Sequence, residues 1–164
     1  LDRNTQGEIV VRSSLVMAAY YNNPDATDAS RAYGWHHTGD IGLIDDAGFV
    51  FIVDRKKDMI ISGGFNVFPS EIEQVIWSHP GVQDCAVVGV PDDKWGEAVK
   101  AVIEAVPGKT VSEDKIIALC KQKLGSVKAP KSVEVWEALP RSPVGKVLKK
   151  EIRKRFWQHQ ERMV

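Results

Sequence analysis

The chain has 164 residues, 43% hydrophobic and 27% charged, with 22 Lys plus Arg balanced by 22 Asp plus Glu. Such a length holds one to two domains with a real core, and the balanced charge gives no ground for a nucleic-acid partner. No apolar run approaches the ~18 residues of a membrane span, no signal peptide is legible, and Cys85 and Cys120 stand alone, without the spacing of a zinc site or a disulfide framework.

Reduced thiols point to a cytoplasmic protein. The first residue is Leu1 rather than Met, in what reads as a loop before a strand, so a longer parent protein is expected. The β-branched run 8–12 after Gly7 predicts a strand, and Asn22-Asn23-Pro24-Asp25 predicts a turn into a short helix. Residues 34–42 carry Gly34, Gly39 and Gly42 and read as a loop. Leu43-Ile44, the turn Asp45-Asp46-Ala47-Gly48 and residues 49–53 form a hairpin pattern. Asp54-Arg55-Lys56-Lys57-Asp58 is five consecutive charges between apolar strands, so the chain surfaces there and a domain boundary is expected.

Gly63 and Gly64 then precede a helix start at Pro69, with Ser70 expected as its N-cap and Glu71 and Glu73 in its first turn. Ile72, Val75 and Ile76 share one face of this helix, which should end near His79-Pro80-Gly81. Residues 82–90 and 98–106 predict strands around a polar loop, 91–97, that contains Trp95. Ser112 should cap a second helix that Gly125 ends, 133–136 a short strand, and 147 to about 162 the last helix. The expected architecture is α+β: a β-hairpin-rich piece over 1–54, a hinge over 55–58, and a small domain over 59–164 with a short mixed sheet and three helices.

Several residues admit both a functional and a plain structural reading. Thr38-Gly39-Asp40 is an ordinary turn, or it places a carboxylate to accept two hydrogen bonds from the vicinal hydroxyls of a ribose. Arg55 would reach the same ligand from the next hairpin arm, or it pairs with Asp54 or Asp58. Gly63 and Gly64 form a turn, or they let backbone approach a ligand closely because no Cβ intervenes. Trp95 marks a binding surface, or its ring folds back onto the core. Neither a dinucleotide GxGxxG fingerprint nor a P-loop is present. His36, His37, His79 and His159 lack ligand spacing, so no metal site is expected. Residues 141–164 hold eight Lys or Arg against Glu151 and Glu161. That surplus reads as a solvated helix face, except at Lys146, which Pro143 and Gly145 hold on a stiffened loop suited to gripping an anion.

The stretches Gly34-Trp35-His36-His37-Thr38-Gly39-Asp40, Asp54-Arg55-Lys56-Lys57-Asp58 running on to Gly63-Gly64-Phe65-Asn66-Val67-Phe68-Pro69, Pro91-Asp92-Asp93-Lys94-Trp95-Gly96-Glu97 and Pro140-Arg141-Ser142-Pro143-Val144-Gly145-Lys146 occur in one order. In that order they resemble the acyl- and aryl-CoA synthetases of the adenylate-forming superfamily, shared with peptide-synthetase adenylation domains and beetle luciferases. The resemblance implies an AMP-forming carboxylic acid–CoA ligase that uses ATP, Mg2+ and CoA and alternates domains between two half-reactions. It implies Lys146 as the catalytic lysine, Asp40 and Arg55 as AMP contacts, and Lys57 as the hinge. Gly63, Gly64, Trp95 and Lys131, with Lys128 as a neighbour, fall on CoA-contacting positions, while Ala129 stands where some relatives carry Arg.

It further implies a large N-terminal domain, absent here, carrying the phosphate loop, the Mg2+ ligand and the acyl pocket. The fragment alone should then be inactive, and its bared surfaces should pair it into a homodimer. Two alternatives remain: an adenylation domain that loads a carrier-protein thiol, and a detached non-catalytic module. The acid, fatty or aromatic, is not specified by these residues.

Overall fold

The computed structural model describes residues 1–157, and its chain divides into two units, Leu1–Lys57 and Asp58–Val164. His159 and the end of the expected last helix lie outside the described residues.

In the first unit, β1 (Gly7–Val11), β2 (His36–Ile44) and β3 (Val50–Arg55) form an antiparallel sheet in the order β1-β2-β3. A short helix, α1 (Pro24–Ala29), follows the expected turn, with the Asn23 side chain accepting from the Ala26 N–H at 3.1 Å. The glycine-rich stretch expected to be a loop is instead the central strand β2. Gly42 sits where a Cβ would come within 2.6 Å of the Phe51 carbonyl oxygen, so close strand pairing needs glycine there. Gly39 has φ +72 and lies within the irregularity that interrupts β1–β2 pairing, since Glu8 pairs Ile41 and Val10 pairs His37. What looked like a chain breaker is a bulge.

Among the described residues the second unit holds five strands rather than the two or three the sequence suggested. These are β4 (Ile60–Ser62), β5 (Phe65–Val67), β6 (Val82–Asp92), β7 (Gly96–Ala105) and β8 (Ser132–Trp136). The order is β5-β4-β7-β6, with β8 pairing parallel to β7. Alternation along β6 divides two cores. Cys85 and Val87 face α2 (Pro69–Trp77) and α3 (Glu113–Lys128), whereas Ala86 and Val88 face Ile152 of α4 (Lys149–Phe156). Ile72, Ile76, Ile103, Ile116 and Ile152 are fully buried, each contributing roughly 1.5–3 kcal/mol.

Three local expectations fail for physical reasons. Phe68, not Ser70, caps α2, because Pro69 occupies the first helical position, where its missing N–H is not needed. Gly125 kinks α3 at φ +79, but a last turn continues to Lys128; Ser112 stands at the N-cap without a side-chain hydrogen bond. Val147 bridges Arg141 across a loop instead of starting the last helix, which begins at Lys149. The basic C-terminal residues are also not a uniformly solvated face. Lys149 pairs with Glu73 at 2.8 Å and Arg153 with Asp58 at 2.6 Å.

Candidate functional site

Asp40 and Arg55 are directly opposite one another in the β2–β3 register. Arg55 Nε lies 2.6 Å from Asp40 Oδ1, so neither Asp54 nor Asp58 is the acidic partner of that guanidinium nitrogen. The Asp54 carboxylate accepts from the Arg55 backbone N–H at 2.7 Å, and Asp58 pairs with Arg153. Thr38 fixes the bulge, donating its hydroxyl to the Ile9 carbonyl at 2.8 Å and accepting from the Asp40 N–H at 3.1 Å. A carboxylate offers about four lone-pair sites, so the Arg55 contact leaves Asp40 capacity to accept from hydroxyls. Lys57 closes the first unit, within a 3-10 turn over Lys56–Asp58.

In the second unit the structure gathers Gly63, Trp95 and Lys131. The Gly63 N–H donates to the Trp95 carbonyl at 2.9 Å, and a Cβ on Gly63 would lie 2.5 Å from Trp95 Cε3. The indole thus rests on glycine backbone while 39% of the residue stays exposed. One face of the ring is packed and the rest is open. Lys94 and Lys131 place ammonium groups 4.9 and 5.8 Å from its ring centroid. Asp92 Oδ1 accepts from the Lys94 and Trp95 N–H groups, both at 2.9 Å, fixing a loop far shorter than the expected 91–97. A planar ring flanked by cations suits a ligand with an aromatic base and a phosphate. Gly64, at φ +82, has open space where its Cβ would be.

Lys128 is engaged elsewhere, its Nζ paired with Glu71 of α2. Sequence reading also missed Glu97. It is buried, and its Oε2 accepts from the Ile61 N–H at 3.0 Å, anchoring the strand that leads into Gly63. The legible signal was parity: Glu97 shares its β7 face with Val99, Ala101 and Ile103, all inward.

Lys146 is exposed on the loop between β8 and α4. The loop closes on itself. The Ser142 N–H donates to the Lys146 carbonyl at 2.8 Å, the Gly145 N–H to the Ser142 carbonyl at 2.8 Å, and the Leu148 N–H to the Pro140 carbonyl at 2.8 Å. Gly145 takes φ +83, which this turn requires. Among the described residues nothing partners the Lys146 ammonium, so backbone is fixed while the cation stays available.

Among the described residues no group of three His, Cys, Asp or Glu could hold a metal, and no helix is long and apolar enough to cross a membrane.

Residues 71–146 match the family model of the AMP-binding enzyme C-terminal domain. The chain is 48% identical to a long-chain-fatty-acid–CoA ligase of Mycobacterium tuberculosis over 151 residues, 92% of this chain and 30% of that protein. It is 46% identical to a feruloyl-CoA synthase of Amycolatopsis over 92% of this chain and 31% of that protein. Among solved structures, ATP-bound MatB from Rhodopseudomonas palustris superposes with a TM-score of 0.87 at 39% identity, covering 97% of this chain and 32% of that one. The chain therefore spans less than a third of the length of these relatives.

Proposed function

We propose that this chain, whose residues 71–146 match the model of the AMP-binding enzyme C-terminal domain, is the C-terminal part of an AMP-forming carboxylic acid–CoA ligase. The observation that carries the reading is Lys146, a cation unpaired among the described residues on a backbone-closed loop at the head of α4. In the first half-reaction a carboxylate oxygen attacks the α-phosphorus of ATP. The new P–O bond forms as the bond to pyrophosphate breaks, giving acyl-AMP. Both reactants are anionic, so the Lys146 charge offsets their repulsion where negative charge accumulates. Asp40, steadied by Arg55, accepts from the ribose hydroxyls.

In the second half-reaction the thiol sulfur of CoA attacks the acyl carbon, AMP leaves, and the thiol proton is lost. The Trp95 indole with Lys94 and Lys131 supports an adenine ring and its phosphate, which favours CoA over a carrier protein lacking that base. Gly63 and Gly64 offer backbone to the pantetheine arm, and Lys57 is the hinge on which the second unit turns between steps. Lys128, paired with Glu71, is a neighbour of these contacts whose ammonium already has an acidic partner.

We assign the phosphate loop, the acyl pocket and the acidic ligand for the Mg2+ that accompanies ATP to the part of such an enzyme's length that this chain does not span. A fatty or an aromatic acid is the substrate class that the named relatives support. Two buried free thiols support a reducing, cytoplasmic setting. Strand β3, whose Val50, Phe51 and Ile52 are exposed along with the preceding Phe49, is the surface we assign to the large domain; bared in the isolated chain, it pairs two copies.

The test is Lys146→Ala in the full-length enzyme. Adenylate formation, read as acid-dependent pyrophosphate release, should fall by about 10²–10³-fold, while CoA transfer to supplied acyl-AMP stays within a few fold. Equal losses in both steps would remove the assigned role. The 164-residue chain alone should release no AMP from ATP and acid.

A further inference from the structure

Arg141 precedes Lys146 by five residues and makes contacts that a solvent-facing cation would not need. Its Nη1 donates to Asp84 Oδ2 at 2.8 Å, and its Nη2 donates to Glu104 Oε2 at 2.9 Å. Those two carboxylates are direct register partners on the adjacent strands β6 and β7. Nη1 also reaches the Gly145 carbonyl at 3.3 Å, on the residue next to Lys146. Glu104 is itself buried, at 9% exposure. Its Oε2 accepts from the Leu139 N–H at 3.0 Å and its Oε1 from Gln83 Nε2 at 2.9 Å.

One strand-borne carboxylate therefore holds the chain entering the loop through backbone, and the loop itself through Arg141. The Arg141–Val147 bridge closes the far side. This arrangement needs a planar fork. A guanidinium can address two carboxylates and a carbonyl in fixed directions, whereas an ammonium is a point charge that rotates freely. The surplus of positive charge around Lys146 is thus divided by geometry: Arg141 is turned down onto the sheet and Lys146 is left outward.

Resting on the ligase reading above, we propose that Arg141 is a positioning residue for Lys146, clamping the catalytic loop to the Asp84–Glu104 rung of the sheet. The clamp fixes the Gly145 carbonyl and the turn around it, so the lysine swings with the second unit as one rigid piece. Its effect falls on the half-reaction that uses Lys146 and spares the one that does not.

Two measurements on Arg141→Met and Arg141→Lys test it. Hydrogen exchange in the 164-residue chain should quicken at the Gly145, Lys146 and Leu148 amides by about tenfold or more, with β6–β7 amides unchanged. In the full-length enzyme, adenylation kcat should fall by about 10–100-fold with the ATP KM nearly constant and CoA transfer to supplied acyl-AMP intact. Arg141→Lys should restore little of either, since charge alone does not make the fork.

Should Arg141→Met fail to fold, Asp84→Asn removes one arm and leaves the Glu104 pair, with a smaller change in the same direction. Unchanged exchange across the loop overturns the proposal, and so does rescue by Arg141→Lys or equal loss in both half-reactions. If Lys146→Ala leaves adenylation intact, the ligase reading falls and the catalytic half of this proposal falls with it. The exchange arm alone then decides whether the clamp exists.

Discussion

The five-stranded sheet of the second unit is packed by helices on both faces, whereas the three-stranded sheet of the first leaves Phe49, Val50, Phe51 and Ile52 between 51 and 68% exposed. Consecutive strand residues point to opposite faces, so β3 is bare on both sides as well as lying at the sheet edge. A patch of this kind marks a surface made to be covered. The second unit has a finished core and carries Lys146 and Trp95 on its outside; the first carries Asp40 and Arg55 on a sheet whose β3 edge leaves Val50, Phe51 and Ile52 exposed. Under the proposed ligase reading, the first property suits a mobile unit and the second a strip that a larger body covers.

The largest effect that would test this contrast is a pair of isoleucine substitutions. Ile103 is fully buried on β7, so Ile103→Ala should cost about 2–5 kcal/mol. Ile52 is 68% exposed, and Ile52→Ser should change stability by less than about 0.5 kcal/mol while reducing self-association. Thiol labelling reads the second unit selectively, because Cys85 and Cys120 are the chain's two cysteines and both are buried there. Burial pushes the Cys120 thiol up to about 11, and burial with the nearby Glu73 charge raises Cys85 further. Labelling therefore follows opening of the core. A similar labelling rate in the two variants would erase the distinction.

A smaller effect separates two adjacent glycines. Gly63→Ala must place a methyl 2.5 Å from Trp95 Cε3 in a left-handed conformation at φ +58. Gly64→Ala meets nothing within 4 Å, at φ +82. Both should lose about 1–2 kcal/mol to the backbone and both should weaken CoA binding in the full-length enzyme, but only Gly63→Ala should shift the Trp95 indole N–H resonance. Equal shifts in both variants would show that the indole does not rest on Gly63.

Hydrophobic pattern made much of the second unit legible: long apolar runs gave β6 and β7, and the 3.6 period gave α2. Failures came where a tertiary contact outweighed local propensity. Gly42 reads as a chain breaker until the Phe51 carbonyl is known to lie against it, and Glu97 reads as loop until its β7 parity is counted. The site behaved alike. Asp40 and Arg55 were legible as candidates, but register chose between Asp40 and the two nearer acids. Arg141 read as part of a solvated basic face and Lys128 as a neighbour of the CoA contacts, and only the fold pairs Lys128 with Glu71 and Arg141 with Asp84 and Glu104. Sequence spacing carries chemistry well and pairing poorly, because pairing depends on which strands meet.

The smallest effect concerns what holds the first sheet in the absence of a second layer. Glu8 Oε2 lies 2.9 Å from both His37 Nδ1 and Lys56 Nζ, joining β1, β2 and the residue after β3. Burial pushes the Glu8 carboxyl upward, but hydrogen bonds from His37 and Lys56, with the charges of both, outweigh it and leave it below the ordinary 4.5. A carboxyl held low in the folded state stabilises that state at pH above the unfolded value and loses this contribution as pH falls through the folded one. Acid should therefore loosen β1–β3 below about pH 4.5, seen as faster exchange of their amides, and Glu8→Gln should flatten that dependence. The β6–β7 amides should be indifferent to Glu8→Gln. An identical acid profile in both proteins would mean that the first sheet is held by something other than this three-way contact.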